Sequence, residues 1–124
     1  MTRIYLAAPY THKDFAIRER RYLYTTQAAN RLIRQGLLVF SPVTHGHAIA
    51  KLGGLDGEFA FWREHCLSFL TNWAQELYVL TLPGWKESIG VAAELAEADN
   101  LGLPVGFIHN APLPTGRAQA RAED

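Results

Sequence analysis

Leu77-Tyr78-Val79-Leu80-Thr81-Leu82-Pro83-Gly84-Trp85-Lys86-Glu87-Ser88-Ile89-Gly90-Val91-Ala92-Ala93-Glu94-Leu95 holds both halves of a strand-to-helix unit. The first six residues are almost entirely apolar, the length of a buried strand, and Pro83-Gly84 stops them. An alanine-rich segment follows. It is entered through Ser88, a residue type that caps helix N-termini. A short strand that is apolar throughout, rather than alternating, has both faces covered, as in a parallel sheet between layers of helices.

The same alternation recurs on either side of this unit. Arg3-Ile4-Tyr5-Leu6-Ala7 reads as a short buried strand stopped by Pro9, and Asp14 to Gln35 as a long helix ended at Gly36. Leu37-Leu38-Val39-Phe40 reads as a second buried strand, ended by Ser41-Pro42. Val43 to Gly57, rich in Thr, His and Gly, reads as a loop with at most one short helical turn. Glu58 to Asn72 reads as the second helix, Ser88 to Leu101 as the third, and Val105 to Ile108 as the fourth strand. The prediction is a single-domain α/β protein. Its core is a Rossmann-like (flavodoxin-like) parallel sheet of four to five strands with helices on both faces. The folded domain covers residues 1–110, and residues 111–124, poor in apolar side chains, read as a loosely ordered tail.

A chain of 124 residues with 48% hydrophobic content is large enough to bury a core of its own. Twelve basic and twelve acidic side chains cancel, so no overall field draws the protein to nucleic acid or to an acidic membrane. A small-molecule partner is therefore expected, not a nucleic-acid polymer and not a membrane. One cysteine, Cys66, allows no internal disulfide, and no apolar run reaches membrane-spanning length. The N-terminus enters a strand pattern without a signal segment, so a cytoplasmic location is expected.

Open parallel sheets bind ligands beyond the carboxyl ends of their strands. Those ends are Ala7-Ala8-Pro9-Tyr10, Ser41-Pro42-Val43-Thr44-His45 and Pro83 to Ser88. The predicted site is lined by Tyr10, His45, Trp85 and Ser88, with Glu94 entering from the third helix. Six helical residues rise about 9 Å, so Ser88 and Glu94 suit opposite ends of one ligand. The helix entrance accommodates a phosphate, and an ionised Glu can attack an anomeric carbon. Spacing alone favours a plainer reading, in which Ser88 is an ordinary cap and Glu94 a solvated neighbour of Glu97 and Asp99.

Other features point to packing. His45 and His47 fall short of a metal ligand set, with His45 expected to line the ligand pocket and His47 to be a surface or packing residue. Cys66 reads as a buried, inert thiol, and Trp62 and Trp73 as core or subunit-contact residues. The Arg18-Glu19-Arg20-Arg21 cluster reads as a solvated helix face. The turn after the first strand is no Gly-rich dinucleotide fingerprint, so no nicotinamide or flavin cofactor is expected.

Tyr5-Leu6-Ala7-Ala8-Pro9-Tyr10, followed by Gly84-Trp85 and Ser88-x-Gly90-x-x-x-Glu94, resembles the nucleoside 2-deoxyribosyltransferase superfamily. That superfamily includes 2'-deoxynucleoside 5'-monophosphate N-glycosidases. The likeness runs over about residues 3 to 108, with its specific part confined to the first strand and the Ser88–Glu94 segment. By resemblance, Glu94 is the catalytic nucleophile and Tyr5 the strand tyrosine that orients it. Ser88 takes the place of a phosphate-binding hydroxyl, with Gly90 beside it in the motif and Ala8 and Pro9 in the turn after the first strand.

The resemblance implies cleavage of an N-glycosidic bond, by hydrolysis or transfer, in a nucleoside or nucleotide. A 2'-deoxynucleoside 5'-monophosphate is the first choice, and a homo-oligomer is also implied. Two features depart from the family pattern. No basic phosphate-gripping residue stands in the first turn, leaving Thr11, His12, Lys13, Arg18, Arg20 and Arg21 as candidates. The family's Asp on the helix before the third strand is absent from Trp62-Arg63-Glu64-His65-Cys66-Leu67-Ser68-Phe69-Leu70, where Glu64, His65 and Cys66 are the alternatives. That absence keeps a non-catalytic nucleotide sensor open beside hydrolysis and base exchange.

Overall fold

Alternate side chains of the first strand point to two different helical layers, and this decides how the molecule stacks. In the computed structural model, which describes residues 1–53 and 59–109, the first strand, β1, spans Arg3–Ala7. Leu6, with Ala8 just beyond the strand, packs against Ala28, Ala29 and Leu32 of helix α1 (Phe15–Arg34). Tyr5 and Ala7 face the other way, into a cluster with Leu70, Val91 and Ala98. Those three belong to helices α3 (Phe59–Asn72) and α4 (Ile89–Leu101). Strand β3 (Glu76–Leu80) divides its residues similarly, with Leu80 towards α1 and Leu77 and Val79 towards α3 and α4. The two-residue period of a strand thus makes a helix–sheet–helix sandwich.

Strands β2 (Leu38–Phe40) and β4 (Val105–Ile108) complete a four-stranded, wholly parallel sheet in the order β2-β1-β3-β4. Tyr5 is in register with Phe40 on one side and Leu77 on the other, and Val79 with Phe107. The expected α/β fold, a parallel sheet with helices on both faces, is therefore present. Because β2 and β3 flank β1 on opposite sides, the topology switches between the carboxyl ends of β1 and β3. A crevice opens at such a point.

Two expectations need correction. Strand β2 was expected to be buried, yet Leu38 is 41% exposed and Val39 and Phe40 only partly covered. Among the described residues it is a three-residue edge strand with a neighbour on one side only, as β4 is on the other edge, where Phe107 is 53% exposed. Also, the segment after Phe40 is not a loop but helix α2 (Pro42–Gly53). Ser41 caps it, its Oγ accepting from the Thr44 N–H at 3.1 Å. Pro42 takes the first helical position, where its fixed φ and missing N–H cost nothing. Ser41-Pro42 ends the strand by starting a helix.

Asp14 and Ser88 cap α1 and α4 through their side chains, accepting from Ala16 and Val91. A single turn of 3₁₀ helix, Trp85–Glu87, joins β3 to α4. No helix among the described residues is long and apolar enough to cross a membrane. The loop expected at 54–57, the expected helix start Glu58, the side chain of Phe61 and the tail 111–124 lie outside the described residues.

Candidate functional site

A cavity of about 390 Å³ opens at the switch point, a size usual for small-molecule sites. Ala8, Tyr10 and Thr11 reach it from the turn after β1, and Pro42, Val43, Gly46 and His47 from α2. Trp62 and Cys66 come from α3, and Glu87 through Gly90 together with Glu94 from the β3–α4 connection and α4. The expected strand ends do converge there.

Glu94 is 4% exposed and shares the sheet-facing stripe of α4 with Val91 and Ala98, three before it and four after, the spacing of one helix face. Its Oε2 accepts a hydrogen bond of 2.5 Å from the Tyr5 hydroxyl. Tyr5 is fully buried on β1 and lies behind Glu94 instead of lining the cavity. Burial dominates the electrostatics. It raises the Glu94 carboxyl to about 8 even though the Tyr5 bond favours the ionised form. Burial, then the adjacent carboxylate, drives the Tyr5 phenol far above its ordinary range, so Tyr5 keeps its proton and stays a donor.

At the other end of the site, Ser88 accepts from the Val91 N–H with its Oγ at 3.2 Å. A hydroxyl that accepts still has its own proton to donate. Ser88 is thus a helix cap and a cavity-lining donor at once. The first-turn N–H groups of Ile89 and Gly90, also at the cavity wall, have no acceptor within the helix. Dipole, amides and hydroxyl together suit an anion.

Arg21 ties the two flanking turns together. Its guanidinium donates to the carbonyls of Thr11 at 3.1 Å and Pro83 at 3.2 Å. Gly84, at φ +91°, lets the chain pass it, since a Cβ there would lie 2.7 Å from Arg21 Nη2. Of the basic candidates for the site, Arg21 is the one fixed between the turns that frame it.

The two histidines of α2 exchange the places expected of them. Two residues apart on a helix is about 200° of rotation, so only one can face the cavity. Val43, Gly46 and His47 form that face. His47 is 4% exposed, stacked on Tyr22 at 4.2 Å and hydrogen-bonded through both ring nitrogens. His45 instead stacks on His65 at 5.0 Å, their Nε2 atoms 2.9 Å apart, with Phe40 beside it at 5.4 Å. Burial, then the neighbouring His65, lowers the His45 pKa. His45 is therefore a packing residue outside the cavity wall. No three His, Cys, Asp or Glu side chains gather at one point among the described residues.

Trp85 is likewise drawn away from the ligand position expected for it. Its ring lies 5.5 Å from Phe107 of β4, with Lys86 above it. Pro9 is buried beneath the turn between Ala8 and Tyr10. On α3, Glu64 and His65 are exposed, and Cys66 is the residue that turns to the cavity. Burial, then the nearby Glu94, pushes the Cys66 thiol up to about 12, where it is inert. Sequence reasoning missed His47 and its partner Glu19 as site residues. The available signal was Ser41-Pro42 as a helix start, which sets positions 43, 46 and 47 on one face.

The chain matches no curated protein. Residues 2–110, nearly the whole chain and all of the described strands and helices, match one family model. The protein belongs to the family of the domain of unknown function DUF1937.

Proposed function

We propose that the protein cleaves the N-glycosidic bond of a nucleoside or nucleotide, with a 2'-deoxynucleoside 5'-monophosphate as its preferred substrate. The observation that carries this reading is the Glu94–Tyr5 pair. It is a buried carboxyl at the wall of a nucleotide-sized cavity, held by the Tyr5 hydroxyl and, among the described residues, with no cation paired to it. A carboxylate so placed lacks a counter-charge until positive charge develops at a sugar C1' during bond cleavage.

In the proposed reaction Tyr5 holds Oε2, leaving Oε1 of the ionised Glu94 to attack C1'. The C1'–N bond breaks, its electron pair leaves with the base, and a glycosyl ester forms on Glu94. Water then attacks C1', releasing the sugar and restoring the carboxylate. Ser88 and the open amides of the α4 entrance receive the 5'-phosphate about 9 Å from Glu94 along the helix.

One observation favours a second reading. Trp62 and Cys66, and no carboxylate, are what the described part of α3 presents to the cavity, and this supports a nucleotide-binding module without catalysis. Transfer to a second base in place of water is the variant within the enzyme class. Incubation with a panel of nucleosides and 5'-monophosphates, followed by chromatography for free base, decides among them. Base release that is lost in Glu94→Gln supports the glycosidase. Base release only when a second base is supplied selects transfer. No release, with a nucleotide still raising the melting temperature, leaves the binding module.

A further inference from the structure

Cleavage of an N-glycosidic bond leaves negative charge on the base, which has to gain a proton as it departs. The helix that would carry the expected Asp offers a buried thiol to the cavity instead. The opposite wall holds a different set of groups. Tyr10, from the turn after β1, places its hydroxyl 2.6 Å from Nδ1 of His47 on α2. The other ring nitrogen, Nε2, is 2.7 Å from Oε1 of Glu19 on α1. Lys51 reaches the same carboxylate oxygen at 3.3 Å. Three separate elements therefore meet in one line of hydrogen bonds, and its inner members, Tyr10 and His47, both line the cavity.

We infer that Tyr10, His47 and Glu19 form the proton relay that serves the departing base, an inference that rests on the N-glycosidase reading above. The orientation of the relay follows from its outer end. Burial raises the Glu19 pKa, but hydrogen bonds from His47 and Lys51 outweigh it and hold Glu19 below its ordinary range. The carboxylate accepts from Nε2–H, leaving Nδ1 as the nitrogen that exchanges a proton with Tyr10. Stacking on Tyr22 and edge contact with Tyr10 fix the ring plane.

The step balances. With His47 protonated, Nδ1–H donates to the Tyr10 oxygen, and the phenolic proton points to the base. As the C1'–N electron pair moves onto the base, the Tyr10 proton follows it. The Nδ1 proton then passes to Tyr10, and His47 becomes neutral. When water attacks C1' and the bond to Glu94 breaks, the water proton goes to Tyr10 and the Tyr10 proton to Nδ1. The relay is restored, one base is released protonated, and one hydroxyl is added to the sugar. Tyr10 is the catalytic member. His47 and Glu19 act through it, as positioning residues.

The test compares two leaving groups. One is the base of each of the four 2'-deoxynucleoside 5'-monophosphates. The other is 4-nitrophenolate from 4-nitrophenyl 2-deoxyribose 5-phosphate, which departs without a proton. Tyr10→Phe and His47→Gln are expected to lower kcat for base release about 100-fold, with KM changed less than about 3-fold. Nitrophenolate release in a single turnover, before water resolves the glycosyl ester, should fall less than about 5-fold in the same variants, and Glu19→Gln should show the same selectivity at about 10-fold. Nitrophenolate release also reports that each variant retains a folded site. Equal loss on both substrates, or no loss on the nucleotides, overturns the relay and leaves the glycosidase standing. If the wild-type protein releases neither leaving group, the glycosidase reading fails and the relay falls with it.

Discussion

The Tyr5 hydroxyl and the Glu94 carboxylate meet at 2.5 Å although they stand 89 positions apart in the chain. The hydroxyl comes from the central strand β1 and the carboxylate from α4. Their bond is the one interaction that favours the ionised form of a carboxyl otherwise governed by burial. Tyr5→Phe should therefore raise the Glu94 pKa further and displace the rising limb of the pH–rate profile to higher pH. Loss of a buried hydrogen bond should also cost about 1–3 kcal/mol in stability, read by denaturant titration.

Glu94 ties stability to pH in the opposite direction from activity. Its pKa is raised from 4.5 to about 8 in the folded protein. Below pH 4.5 both folded and unfolded chains hold the proton, and the stabilising contribution is complete. As pH rises beyond that, the unfolded chain gives up its proton first, and the contribution is lost by about pH 8. The fall should be at most about 1.4 kcal/mol per pH unit. Melting curves of wild type and Glu94→Gln across this range check it, and a wild-type slope no steeper than that of the variant refutes it. Activity that needs the ionised carboxylate should instead climb as pH rises through about 8.

Ser88 has two duties that substitutions can separate. Ser88→Ala removes the cap on Val91, which should cost about 1 kcal/mol. The phosphate-binding donor goes with it. Ser88→Asp keeps a capping oxygen and adds a negative charge, so stability should be retained. Under the proposed function its KM should rise about 10-fold or more for 5'-monophosphates and stay nearly unchanged for nucleosides. Parallel rises for both substrate classes would remove Ser88 from phosphate recognition.

Gly84 carries a backbone and a steric constraint together. Gly84→Ala meets a left-handed conformation at φ +91° and an Arg21 Nη2 atom 2.7 Å from the new Cβ. The backbone part alone should destabilise by about 1–2 kcal/mol. In a double-mutant cycle with Arg21→Ala, the steric part should vanish and the backbone part remain. Additivity of the two substitutions would count against the contact.

Cys66 lines the cavity wall yet should be a poor nucleophile, because burial and Glu94 hold the thiol protonated, up to about 12. Iodoacetamide at neutral pH should label it far more slowly in the native protein than in urea, by intact-mass measurement. Rapid native labelling would contradict the burial argument.

Strand and helix order could be read directly from apolar runs and breakers, because these are local signals. Ser41-Pro42 shows where that reading went astray. Serine and proline end a strand and cap a helix by the same conformational preferences, and taking them as a stop turned α2 into a loop. His45 and His47 were misassigned as a consequence, since only a helix separates their directions by about 200°. Glu94 was more legible than its plainer reading allowed. Its spacing from Val91 and Ala98 already placed it on a buried stripe.

By itself, then, the sequence determined the alternation of strands and helices, the parallel sheet and the end of the sheet where the cavity opens. These depend on periodicity, turn residues and backbone geometry, all acting within a few positions of the chain. Tertiary structure alone decided the rest. It buried Glu94 against Tyr5, turned His47 inward between Tyr10 and Glu19, and drew Trp85 onto Phe107. Those pairings join residues tens of positions apart, and which side chains meet depends on the rotation of each helix once its apolar face has docked.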